Sequence, residues 1–265
     1  MKTLTLSLFV FFSISTYGQD YSIKQLEQSP RHHEWVTIES QGRNIRCFVA
    51  YPEKAKNTEA IIVIHENRGL TDWVRSFADQ LAAAGYLAIA PDLLSDFSEE
   101  VKQTSDFATS DDARKGIYAL PADQVTRDLQ AVEKYIAKAP SSNGNVLVAG
   151  FCWGGSQSFR YATNSTTIKA AMVFYGTAPD SAEELHKIKV PVYGFYGGDD
   201  QRVNATIEAT EAIMKDGGKT YAYEIYAGAG HAYMRRGDDP ESDEANKKAR
   251  DDSWERIKLI LKKVK

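Results

Sequence analysis

The chain has 265 residues, 43% of them hydrophobic and 26% charged, with a formal net charge of -4. This is the composition of a globular protein able to bury a sizeable core, which excludes a low-complexity or fibrous chain. The slight acidity argues against a nucleic-acid binder, and the C-terminal Lys262, Lys263 and Lys265 read as the solvated end of a helix, where cations complement the dipole.

Lys2 precedes an apolar run from Leu4 to Ile14, broken only by Thr5, Ser7 and Ser13 and followed by the small or polar stretch Ser15 to Asp20. A charged start, a short apolar core and a small residue before a polar segment predict a secretory signal peptide over 1–18. The run falls short of the roughly 20 residues a membrane-spanning helix needs. The mature chain, 19–265, is therefore expected to be one domain, exported and soluble, in the periplasm or secreted, with no membrane or nucleic-acid partner. Cys47 and Cys152 are the two cysteines. They are too few to staple a chain of this size and are expected as free thiols, with a disulfide between them as the alternative.

Residues 20–33 read as a polar, irregular leader into the domain. Trp35 to Ile38 and Ile45 to Val49, separated by Ser40-Gln41-Gly42-Arg43-Asn44, predict an N-terminal antiparallel hairpin. Ala60 to Ile64 is a wholly apolar strand of the kind buried inside a parallel sheet, and it runs into His65-Glu66-Asn67-Arg68-Gly69-Leu70. Trp73 to Ala84 reads as a helix stopped by Gly85, and Tyr86 to Ala90 as the next strand. The stretch from Leu93 to Pro121 is polar and acidic and lacks a clear period, with room for short helices. So long an excursion in a compact domain predicts a lid or a substrate-binding wall, with a disordered linker as the alternative. Val125, Leu129, Val132 and Ile136 recur at helical spacing.

Asn145 to Ala149 reads as a strand that ends at Gly150-Phe151-Cys152-Trp153-Gly154-Gly155, after which a helix begins. Further strands are expected over Ile168 to Tyr175, Val190 to Tyr196 and Thr220 to Tyr226, with a helix over Val203 to Met214, a loop over 231–241 and a C-terminal helix carrying Trp254, Ile257, Leu261 and Val264. Strands alternating with helices predict an α/β fold, with a mainly parallel central sheet covered by helices on both faces.

In such a sheet, functional groups gather beyond the carboxyl ends of the strands. Four predicted strands end in Glu66, Cys152, Asp200 and His231. Strand, Gly-flanked turn and helix is the setting of a nucleophile elbow, here with Cys at its centre. A thiol attacks only as thiolate, so it needs a partner that takes its proton; His231 can do so, with Asp200 fixing the imidazole's tautomer. Each residue has a plainer reading: a buried cysteine in a tight turn, a surface aspartate, a structural histidine. Their order in the chain, nucleophile then acid then histidine, is that of an α/β-hydrolase triad.

With those residues in view, the sequence resembles the dienelactone hydrolase family of the α/β-hydrolase superfamily. The likeness rests on His65-Glu66-Asn67-Arg68-Gly69, Gly150-Phe151-Cys152-Trp153-Gly154-Gly155, Gly197-Gly198-Asp199-Asp200 and Gly230-His231-Ala232-Tyr233. It implies an α/β-hydrolase fold and a carboxylic ester or lactone hydrolase acting on a small molecule that can bear a carboxylate, with no metal or organic cofactor. Carried over by position, Cys152 is the nucleophile, His231 the base, Asp200 the acid with Asp199 as second choice, and Glu66 a carboxylate that interacts with the thiol. The oxyanion hole would be the backbone N–H groups of Asn67 and Trp153. Substrate-binding positions would be Arg235, Arg114 and Tyr118. The family's usual apolar residue after the glutamate is replaced here by Asn67-Arg68, which bears on the substrate more than on the reaction. Three further readings stand beside this one: a non-catalytic binding protein of the cell envelope, a thiol–disulfide role for Cys47 and Cys152, and a serine hydrolase using Ser156.

Overall fold

A computed structural model describes residues 20–53 and 57–264. The signal peptide expected over 1–18 lies outside the described residues. Eight strands form one sheet: β1 (His33–Ser40), β2 (Arg43–Ala50), β3 (Thr58–Ile64), β4 (Leu87–Pro91), β5 (Ser142–Phe151), β6 (Ala171–Phe174), β7 (Val192–Gly197) and β8 (Tyr221–Tyr226), in the order β1-β2-β4-β3-β5-β6-β7-β8. β1 with β2 and β2 with β4 pair antiparallel, and every other neighbouring pair is parallel. The N-terminal hairpin is thus joined to a parallel sheet, as the sequence predicts.

The apolar strand β3 explains the layering. Successive side chains of a strand point to opposite faces. Ile61 and Val63 face a core completed by Trp73 and Phe77 of α2 (Asp72–Ala83) and by Ile257 and Leu261 of α10 (Glu244–Lys263). Ile62 and Ile64 face the opposite core, built with Val125, Leu129 and Val132 of α4 (Ala122–Ile136) and Phe159 of α5 (Trp153–Asn164). All four β3 side chains are fully buried. At about 1.5–3 kcal/mol for each such side chain, a strand of this kind has no solvent-facing alternative. Its C-terminal end is thereby fixed between two helical layers.

Three features differ from the expectation. Residues 20–33 are not irregular: α1 (Asp20–Gln28) packs on α2, and its period is hidden because polar contacts carry part of the interface. Ser76 Oγ donates to Gln25 Oε1 at 2.8 Å, and beyond the helix Asp79 accepts from Ser29 Oγ (2.7 Å) and from Arg31 Nε and Nη2 (both 2.7 Å). Burial alone would raise the Asp79 pKa, but these bonds outweigh it and hold the carboxyl below its usual range. The excursion over 93–121 carries a short helix, as its reading allows: α3 (Ser110–Ala119), capped by Thr109, whose hydroxyl accepts from the Asp112 N–H. The expected loop over 231–241 contains α9 (Tyr233–Gly237). After the short α6 (Ala182–His186), the helix expected over Val203 to Met214 is two helices, α7 (Gln201–Asn204) and α8 (Ile207–Asp216). Among the described residues no helix is long and apolar enough to cross a membrane.

Candidate active site

The carboxyl ends of β3, β5, β7 and β8 deliver Glu66, Cys152, Asp200 and His231 to one edge of the sheet. Glu66, Cys152 and His231 share a cavity of about 440 Å³, which Asn67, Arg114 and Arg235 also line.

Cys152 stands between β5 and α5 with φ 54° and ψ -114°, a conformation that a residue with a Cβ adopts only under constraint. The constraint is tight packing of backbone on backbone. A Cβ at Gly150 would lie 2.0 Å from the Gly154 carbonyl oxygen, and one at Gly154 would lie 2.3 Å from that of His65. Strand and helix therefore approach to a distance that only glycine permits. The Cys152 N–H donates to the Phe174 carbonyl at 3.0 Å, pinning the turn to β6.

Asp200 and His231 are joined by a hydrogen bond of 2.5 Å between Asp200 Oδ2 and His231 Nδ1. Asp200 is buried, whereas Asp199 is exposed, so the neighbouring carboxylates separate cleanly. With the Asp200 carboxylate at Nδ1, that nitrogen carries the proton and Nε2 is left as the basic atom. The loop holding His231 is fixed from behind: the Gly230 N–H donates to Asn246 Oδ1 at 3.1 Å, and the Tyr175 ring meets the imidazole edge-on at a centroid distance of 5.1 Å.

Burial pushes the Cys152 thiol up to about 11, and the negative charge of Glu66 adds to the shift; the Trp153 N–H and the Arg202 charge act against it. At neutral pH the group is therefore a thiol. Glu66 is itself held by Arg235, whose Nε donates to Glu66 Oε2 at 2.7 Å. The Glu66 charge and burial of the guanidinium act in opposition on Arg235, and the carboxylate prevails, raising its pKa further. Arg235 is anchored through its own carbonyl, which accepts from Tyr21 Oη at 2.8 Å, so α1 braces α9. Tyr175 Oη is fully buried beside these charges and has no hydrogen-bond partner among the described residues.

The excursion after β4 forms one wall. Leu94, Ala113 and Ile117 make a small apolar cluster against which Trp153 packs, directly beside Cys152. Arg114 lines the cavity, while Tyr118 is 60% exposed and touches the site through its hydroxyl, which accepts from Asn67 Nδ2 at 3.4 Å. Beneath the floor lies His65, fully buried: its Nδ1 donates to the Glu66 carbonyl at 2.8 Å and its Nε2 accepts from the Leu93 N–H at 3.2 Å. Both ring nitrogens are thereby used, and burial lowers the His65 pKa, so the imidazole stays neutral. It also stacks on Trp153, with ring centroids 5.6 Å apart, tying both backbone segments expected to form the oxyanion hole to one rigid ring.

Ser156 lies on α5 and is occupied, its Oγ accepting from the Thr177 N–H at 2.9 Å. Cys47 is buried in β2 and both cysteines are free thiols. Among the described residues no group of three or more His, Cys, Asp or Glu side chains is gathered as a metal ion would require. His65 and Arg68 were visible in the loop motif after β3, but nothing in their spacing marked one as a buried support or the other as a lining residue.

The sequence profile described as the dienelactone hydrolase family matches residues 45–265. The chain belongs to the dienelactone hydrolase family. A Saccharolobus solfataricus protein named "Putative carboxymethylenebutenolidase" is 31% identical over 264 residues, spanning 86% of this chain and 98% of its own length. An Escherichia coli K12 protein of the same name is 29% identical over 211 residues, spanning 75% of this chain and 76% of the relative. The Klebsiella pneumoniae crystal structure named "Putative Dienelactone Hydrolase" superposes with a TM-score of 0.76 at 26% identity, covering 87% of this chain and 98% of the other. The chain thus has the α/β-hydrolase fold, its sheet mostly parallel with an antiparallel N-terminal pair.

Proposed function

We propose that this dienelactone hydrolase family member hydrolyses carboxylic esters or lactones of small molecules through Cys152, His231 and Asp200, by way of an acyl-thioenzyme. The observation that carries the proposal is the convergence of a strained Cys152, a 2.5 Å Asp200–His231 pair and the Glu66–Arg235 ion pair at one sheet edge. The relatives' names supply the substrate class, a lactone ring or a related ester.

The chemistry follows from the charges. Without substrate, burial and Glu66 keep the sulfur protonated, which protects a thiol in an accessible pocket from adventitious oxidation and alkylation. An acyl substrate with a carboxylate competes for Arg235, and Glu66 then loses its cation and becomes a stronger base beside the thiol. Once the proton leaves the sulfur, for His231 or Glu66, the thiolate attacks the carbonyl carbon and a C–S bond forms. The oxyanion is met by the Asn67 and Trp153 N–H groups, each worth on the order of 3 kcal/mol in such a role. The C–O bond breaks, the leaving oxygen takes the proton, and water activated by Nε2 of His231 cleaves the thioester.

Iodoacetamide tests this reading. Alkylation is expected at Cys152 and not at the fully buried Cys47, with hydrolysis lost in proportion to the label. The rate should climb with pH toward the thiol's value near 11. In Glu66→Gln the same rise should come at lower pH, because a charge that disfavours the thiolate is gone. Peptide mass mapping with the pH profile of labelling reads both; activity that survives complete labelling of Cys152 removes the nucleophile from the proposal.

A further inference from the structure

We propose that the pocket accepts a substrate with two carboxylates, and that Arg68 is the specificity-determining residue that binds the second. The inference rests on the ester-or-lactone reading above. Both carboxylates at the site are already committed, Glu66 to Arg235 and Asp200 to His231. Arg68 and Arg114 also line the cavity, and among the described residues neither forms an ion pair with a carboxylate. Arg68 Nη1 donates to a neutral group, Ser110 Oγ, at 3.1 Å, and Arg114 lies over the Tyr118 ring at 5.9 Å. Arg202, at the start of α7, adds a fourth positive charge within electrostatic reach of the sulfur.

The cations are not equivalent. An anion reaching Arg235 must displace Glu66, whereas Arg68 exchanges nothing. A guanidinium has five N–H donors in a planar fork, and a single bond to Ser110 leaves enough for bidentate contact with a carboxylate. Arg68 is exposed, but its position is not free: Gly69 and Leu70 follow at once, and the Leu70 N–H donates to Thr104 Oγ1 at 3.0 Å. Arg68 therefore sits on a fixed loop one residue past Asn67, reaching α3, while Arg235 approaches from α9. Two cationic walls of separate origin flank one nucleophile.

The test uses esters with the same reacting bond and none, one or two carboxylates: phenyl hexanoate, phenyl hydrogen adipate and 4-carboxyphenyl hydrogen adipate. The ratio of kcat/KM for the two-carboxylate ester over the one-carboxylate ester is the readout. It should exceed one in the native chain and fall about 10-fold in Arg68→Gln, the loss expected for a partly exposed charge-assisted bond. Arg68→Lys should restore part of it. A ratio that Arg68→Gln leaves unchanged overturns the inference while leaving the hydrolase reading intact. Hydrolysis of none of the three esters defeats the hydrolase reading instead. The diacid site is then decided by calorimetry on Cys152→Ala: the diacid, 4-carboxyphenyl hydrogen adipate, should bind more tightly than the monoacid, phenyl hydrogen adipate, and Arg68→Gln should abolish the difference. Equal binding of the two acids before that substitution overturns it.

Discussion

Cys152→Ala is expected to lower kcat/KM for a small aryl ester by about 10⁴-fold or more, the range seen when a triad nucleophile is removed from a hydrolase. What survives should be the contribution of binding and the backbone oxyanion donors, which the substitution does not touch. Alanine keeps the Cβ and with it the φ 54° backbone, so the turn, the Gly154 contact with His65 and the wall at Trp153 should persist. Chemical denaturation of both proteins checks that the variant is folded, and steady-state kinetics reads the loss. Ester hydrolysis at the native rate in a folded Cys152→Ala protein would end the nucleophile assignment.

The second large effect separates two neighbours in sequence. Asp200→Asn should lower kcat by about 10⁴-fold, the loss found when a triad aspartate becomes an amide and the histidine takes the wrong tautomer. The amide NH₂ can face Nδ1 only if that nitrogen gives up its proton, which leaves Nε2 protonated and unable to act as the base that activates water. Asp199→Asn, on an exposed side chain, should change activity by no more than about two-fold, as surface substitutions do. Asp200 also accepts from the Val203 N–H at the start of α7, at 3.5 Å, and asparagine can keep that cap, so the fold should hold in both variants. Equal losses in the two proteins would contradict the geometry.

The parallel core and the positions of the four strand-end residues were legible in the sequence for one reason. Strands buried on both faces are apolar throughout, as Ala60 to Ile64 is, so a change to polar residues marks the end where chemistry collects. What was not legible depended on polar contacts between distant segments. α1 meets α2 through Gln25 and Ser76, which have no apolar period to betray a helix. α9 is held by Asp238, which accepts from Trp73 Nε1 of α2 at 2.8 Å and from Arg250 Nε of α10 at 2.7 Å. α3 buries only Ala113, Gly116 and Ile117, too few for periodicity to stand out. The split between α7 and α8 comes from Thr206, whose hydroxyl bonds back to the Val203 carbonyl at 2.8 Å. The ion pair between Glu66 and Arg235, 169 residues apart, belongs to the same class.

With Cys152 as the proposed nucleophile, its left-handed backbone sets catalysis against durability at a single residue. Glycine would occupy φ 54°, ψ -114° without the roughly 1–3 kcal/mol of strain that a Cβ carries there. Its greater freedom in the unfolded chain would return up to about 1 kcal/mol of that relief. Cys152→Gly should therefore melt a few degrees above Cys152→Ala, about 2–4 °C per kcal/mol for a domain near this size, with both equally inert. Differential scanning calorimetry of the two variants would reveal it, and a lower melting temperature for the glycine protein would mean that the elbow stores no such strain. Where the glycine variant proves hardier, the proposed nucleophile is a residue this fold tolerates rather than prefers, and thermal endurance selected without regard to turnover would erode it first.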